Sequence, residues 1–160
     1  MFQRESARYL RDVYLPRLRR AVETLPEADL WWRPHDGANG VGNLLVHLEG
    51  NVRQWIVSGV GGAPDRRRRP LEFSRREGGS RAELLDALEA TVGEACAVIE
   101  RLPDDELQRP RTIQGSPRSV FGAIYHVVEH FSWHTGQVAY VAKMRAGPAH
   151  GIAFYDDSKL

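Results

Sequence analysis

The chain has 160 residues, with 22 basic and 21 acidic side chains and a formal net charge of +1. That length suits a single domain, 1–160, with a core large enough to fold without staples. The near balance of charge argues against nucleic acid as a partner, because such domains usually carry a basic excess. The one cysteine, Cys96, excludes an intrachain disulfide and is compatible with a reducing compartment.

The opening stretch, MFQRESARYLRDVYLPRLRR, is charged throughout and lacks the apolar segment of a signal peptide. No uncharged apolar run reaches membrane-spanning length. The expectation is a cytoplasmic protein that engages no membrane.

Helical periodicity runs from about Gln3 to Thr24 through Tyr9, Leu10, Val13, Tyr14, Leu18, Ala21 and Val22, with Pro16 expected to disturb it. Leu25 to Leu30 reads as a stop and turn, and Arg33 to Gly40 as a loop. A second helix, about Gly42 to Ser58, buries Leu44, Leu45, Leu48, Val52, Trp55 and Ile56. The connection from Gly59 to Gly79 contains Arg66-Arg67-Arg68-Arg69, a run suited to phosphate, though a solvated, mobile loop is the simpler reading. Ser80-Arg81-Ala82-Glu83 is a capping box for a third helix, which ends before Pro103. Ser116-Pro117 resembles an N-cap and first-turn pair for a fourth helix that Gly147-Pro148 stops. No run has strand period over a length that would build a sheet. Four helices with two long connections predict an all-α four-helix bundle, a fold that commonly builds metal sites from inward-facing side chains.

The fourth helix carries His126, His130 and His134 at successive spacings of four. Residues so spaced lie about 40° apart on one face and about 6 Å apart along the axis. Two imidazoles placed this way can close on one metal ion, and neutral imidazole suits zinc, nickel, copper and iron. A pair is half a site. His47, in the middle of the second helix, is the candidate for the rest. Its face carries Asn43, Asn51 and Gln54 among leucines, a combination costly in a dry core. Gln137 lies near the face of His130 and His134, since seven residues make almost two turns. The residues alone leave two other readings open, a satisfied core histidine at His47 and an accidental pair at His130 and His134. His35 and His150 read as exposed, Cys96 as a small core residue, and Tyr125 and Tyr140 as packing groups. Glu129 lies about 100° off the histidine face.

The segments Asn43-Leu-Leu-Val-His47, with Trp55 further along, and His126-Val-Val-Glu-His130-Phe-Ser-Trp-His134-Thr-Gly-Gln137 resemble the DinB-like (damage-inducible B) superfamily. The loop Arg33-Pro-His-Asp-Gly-Ala-Asn-Gly is similar as well, while the first and third helices are less so. The resemblance implies a bundle of up-down-down-up topology and a homodimer. It implies a divalent metal, zinc or nickel, on His47, His130 and His134, with His126 in support. Asn43, Asn51, Gln54 and Gln137 are then candidates to orient water or substrate. Three protein ligands leave a position open, as in catalytic zinc sites. An ion there can make hydroxide or thiolate available near neutral pH. Characterised members of the superfamily use low-molecular-weight thiols, so the resemblance implies a thiol S-transferase acting on a small-molecule thiol and an electrophile. A metal-dependent hydrolase and a non-catalytic, stress-associated metal-binding module are the alternatives.

Overall fold

The apolar positions at helical spacing do form four long helices, which the computed structural model describes over residues 1–154; the end of the expected domain, 155–160, lies outside the described residues. Helix α1 (residues 2–24) is α-helical over Phe2–Arg8 and Leu15–Thr24 and π-helical over Tyr9–Tyr14. The disturbance expected at Pro16 therefore takes the form of a wider turn just before it. Proline lacks an N–H and its ring crowds the carbonyl four residues back, and a π-helical stretch relieves that crowding. Helix α2 (residues 41–58) is α-helical over Val41–Val52 and π-helical over Arg53–Ser58. A short α3 spans Arg69–Ser74, α4 spans Arg81–Glu100 and α5 spans Val120–Ala146. Among the described residues, no helix is long and apolar enough to cross a membrane.

The helix ends follow from local chemistry. Ser80 accepts from the Glu83 backbone N–H and Glu83 reaches back to the Ser80 N–H at 2.7 Å, the capping box expected for α4. Arg81 donates to the Val22, Glu23 and Leu25 carbonyls, satisfying acceptors left free at the end of α1.

Residue pairs fix the directions of the long helices. Arg11 pairs with Glu100 and Arg19 with Glu89, so α1 and α4 are antiparallel. Phe2 stacks on Phe121 and Tyr14 on Phe131, so α1 and α5 are parallel. Thr91 donates to Glu49 while Arg53 bonds Glu94, so α2 and α4 are parallel. His47 faces His130 while Asn51 faces His126, so α2 and α5 are antiparallel. The result is up-down-down-up. Leu10, Leu18, Leu45, Leu48, Leu88, Ile99, Ile124 and Phe131 fill the centre and are fully buried. Each such side chain contributes about 1.5–3 kcal/mol, whereas an exposed ion pair contributes about 0–1 kcal/mol. The core holds the helices together, and the surface pairs set their register. Cys96 belongs to this core. It is 1% exposed, and burial raises its thiol pKa to about 11, which makes it inert as a nucleophile.

Two expectations are corrected. Ser116-Pro117 does not start a helix. It lies in strand β2 (Ser116–Ser119), which pairs with β1 (Pro110–Ile113) in a two-stranded antiparallel hairpin. Gln114 and Gly115 both have positive φ, 54° and 74°, the backbone of a two-residue turn that fits the twist of paired strands. Ser119 caps α5 instead, accepting from the Gly122 N–H at 3.0 Å. The second correction concerns the connection between α2 and α4. It is not simply a solvated loop: it contains α3, and it buries Glu72 and the side chain of Arg67.

Candidate metal centre

His47 lies on the inner face of α2 and is 4% exposed. His130 and His134 lie one turn apart on α5, which runs antiparallel to α2, so all three rings meet near mid-bundle. His130 Nε2 lies 3.1 Å from His47 Nε2 and 3.1 Å from His134 Nε2. One ligand atom from each residue lies within 4.8 Å of the other two, and the group can hold a metal ion.

The far nitrogens decide what those facing nitrogens carry. His47 Nδ1 is 2.8 Å from Glu72 Oε2. Burial raises the Glu72 pKa, but hydrogen bonds from Arg67 and His47 more than offset it and hold the group below its usual range. Arg67 Nη2 also lies 3.1 Å from this nitrogen, but the ionised carboxylate is the closer and stronger partner and only accepts, so His47 Nδ1 donates to it and its Nε2 carries a bare lone pair. His134 Nδ1 donates to Gln137 Oε1 at 2.6 Å, which leaves its Nε2 bare as well. His130 can offer one Nε2 proton to two acceptors, and its buried Nδ1 has no partner. Burial, then the neighbouring His134 and His47, push the His130 pKa down to about 3; burial also lowers those of His134 and His126. Protonation of His130 therefore does not relieve the crowding near neutral pH. A cation does, and neutral imidazoles in this arrangement fit a divalent ion.

The sequence shows Arg67 only as part of an arginine run suited to phosphate, and does not mark Glu72 at all. Arg67 donates through Nε to Glu72 Oε1 at 2.7 Å and through Nη2 to Oε2 at 2.9 Å, a two-pronged pair with side chains 3% and 6% exposed. Gly50 makes room for it. A Cβ there would lie 2.5 Å from Glu72 Oε1 and 3.0 Å from Arg67 Nε. One signal was available, Arg69-Pro70, since proline favours the first turn of a helix. Nothing in the sequence marked Glu72 as buried.

The other expected site residues fall in different places. Asn43 spends its side chain on the protein. Its Oδ1 accepts from Gly40 N and Arg33, and its Nδ2 donates to the Glu72 and Arg75 carbonyls. It pins the segment that carries Glu72 and has no group left over for a substrate. Gln54 bonds Asp65, Arg67 and Gln114 and reaches the histidines only through Arg67, whose Nη2 lies 3.1 Å from His47 Nδ1. His126 packs against Trp55 with ring centroids 4.0 Å apart and faces Asn51 at 3.4 Å; it does not join the ligand cluster. Gln137 is exposed beside His134. His35 is exposed, and His150 accepts from the Ile152 N–H in the tail.

The fold and this centre define a helical-bundle protein with three converging histidines. The chain belongs to the family described as "Protein of unknown function (DUF1572)", whose model matches residues 4–150, a family of DinB-like fold. Among solved structures, it is similar to one titled "Crystal structure of the conserved protein of locus from Enterococcus faecalis". That likeness has a TM-score of 0.71 and 16% sequence identity, covers 89% of this chain and 95% of the other, and extends to the fold alone. No curated protein matches the sequence.

The geometry generates one prediction. Partners of this kind on a metal-binding histidine typically change metal affinity by about 10–100-fold. Glu72→Gln keeps the shape but loses the carboxylate, so zinc affinity should fall within that range. Competition with a chromogenic chelator measures it. An unchanged affinity would mean that Glu72 serves only to bury Arg67.

Proposed function

We propose that the protein is a metal-dependent enzyme of the thiol S-transferase type, with His47, His130 and His134 holding a divalent ion, zinc or nickel. The observation that carries the metal is the meeting of three histidine Nε2 atoms with too few protons to pair them. A divalent ion bound there supplies Lewis acidity, which favours thiolate over thiol near neutral pH. The chain's own residues do the positioning. Glu72 fixes the His47 tautomer and Gln137 fixes that of His134. Asn43 supports Glu72 through its backbone. Phe73, with its ring centroid 4.7 Å from that of His47, offers an apolar wall to an electrophile. Trp133 is 63% exposed and lies at the outer edge beside His134, while Trp55 lies beneath His126. The transferase chemistry rests on the DinB-like resemblance. The low-molecular-weight thiol and the electrophile are the partners it implies.

A second reading, the non-catalytic metal-binding module, is favoured by one observation. Among the described residues the cluster contains only histidines, and the carboxylate that touches it, Glu72, is already held by Arg67 and His47. In that case the metal adds stability to a bundle whose core already suffices. A metal-dependent hydrolase is the other reaction open to the same ligands.

We also propose a homodimer. On α1, Tyr9 is exposed but Tyr14 packs against Phe131. The larger apolar exposure lies along α5, where Phe121, Tyr125, Trp133, Tyr140 and Met144 are 41–72% exposed. Such a stripe is typical of an interface.

Metal analysis of purified protein should find one ion per chain. His47→Ala, His130→Ala or His134→Ala should each remove most of it, and His35→Ala or His150→Ala should not. Full occupancy in the His47→Ala protein would overturn the ligand set. With cobalt in place of the native metal, a small thiol such as cysteine should change the visible spectrum through a new sulfur ligand. If no small thiol in a broad panel does so, the module is the better account. Sedimentation at micromolar concentration should give twice the monomer mass, and Tyr125→Glu with Tyr140→Glu should halve it. A wild-type protein that stays monomeric would remove the dimer.

A further inference from the structure

Arg66, Arg67 and Arg68 of the arginine run border a cleft of about 370 Å³ between α2 and the α3 segment. None of the three histidines lines it, and it adjoins them through the Arg67–Glu72 pair, since both residues line the cleft and both touch His47. The acidic groups around it are already engaged. Glu72 is held by Arg67, Glu49 by Arg53 and Thr91, and Asp65 accepts from Gln54 and the Arg67 backbone N–H. Three of the five arginines that line it are not. Arg66, Arg68 and Arg75 all line the cleft, are exposed, and make no side-chain hydrogen bond or ion pair among the described residues. Five arginines against three carboxylates leave the cleft lining at +2, in a chain whose formal net charge is only +1.

The lining is not purely charged. Val46, Gly50 and Leu71 contribute apolar surface, and Leu71 remains 54% exposed within an otherwise polar segment. An apolar side chain left open among unpaired arginines suits a ligand that has both characters. Guanidinium groups recognise phosphate and carboxylate oxygens in a two-pronged geometry.

We propose that this cleft binds a small organic anion, with its phosphate or carboxylate group held by Arg66, Arg68 and Arg75 and its apolar body lying on Val46, Gly50 and Leu71. The proposal does not depend on the metal reading. It assigns the anion to the cleft and not to the histidines, and the two sites meet only at the Arg67–Glu72 pair.

Phenyl phosphate is the probe, titrated calorimetrically into the full chain at low ionic strength. One saturable site per chain is expected. Arg66→Gln with Arg68→Gln should weaken it at least tenfold. These side chains are exposed and unpaired, so the fold should hold, and an unchanged circular dichroism spectrum checks that. The His134→Ala protein should bind the probe like wild type, whatever becomes of its metal. Half-molar salt should weaken binding, as expected for a solvent-facing charge contact. The proposal is overturned by any of three results: no saturable binding to the wild-type chain, equal affinity in the double arginine variant, or loss of binding in His134→Ala, which would place the anion at the histidines. Inorganic phosphate binding as tightly as phenyl phosphate would overturn the role given to the apolar floor.

Discussion

Three imidazole nitrogens from two helices cannot meet at 3.1 Å without something deciding where their protons lie. Much of the local structure answers that demand. Each outer histidine turns its Nδ1 to a fixed acceptor, Glu72 for His47 and Gln137 for His134. Glu72 must itself be ionised inside the protein, which is costly for an unpaired charge. Arg67 compensates it with two hydrogen bonds. That pair needs space against α2, which Gly50 leaves, and a segment held in place, which Asn43 provides by bonding the Glu72 and Arg75 carbonyls. The connection between α2 and α4 is thus organised by the tautomer of one histidine.

The two outer histidines are supported differently. Gln137 belongs to the same helix as His134, three residues further on, so that contact comes with the helix itself. Glu72 approaches His47 from a separate segment, 25 residues along the chain. One half of the centre is therefore built by a single rigid helix, while the other depends on a loop staying docked. The same docked loop presents Arg66, Arg68 and Arg75 on its outer side.

Residues with a regular period were readable in advance. The apolar stripes of the long helices, the Ser80–Glu83 capping box and the spacing of His130 and His134 all follow from the helical repeat, and the structure places each where that repeat requires. Contacts that depend on tertiary approach were not readable. Glu72 sits in a charge-rich stretch whose composition suggests solvent, and only the partner 25 residues away shows why it is buried. Gln54 lies on the His47 face by simple periodicity, yet it bonds the loop, and α2 becomes π-helical from Arg53 onwards. The β1–β2 hairpin escaped notice because its strands have four residues each and both contain proline. The turn at Gln114-Gly115 was the one cue, and it lacks the asparagine or aspartate usual at its first position.

The up-down-down-up arrangement has a kinetic consequence. Packing joins α1 to α4 and α5, and α2 to α4 and α5; of the long helices that follow one another in sequence, only α2 and α4 pack, and they run parallel, whereas α1 with α2 and α4 with α5 sit across the bundle from each other. No helical hairpin of neighbouring long helices can serve as an early native subunit. Every major helix interface must instead close a large loop, and Phe2 finds Phe121 only when most of the chain lies between them. Folding rates fall as contacting residues become more distant in sequence. This bundle should therefore fold more slowly than an up-down-up-down bundle of the same size, with α1 joining a folding nucleus only once α4 and α5 are in place to receive it.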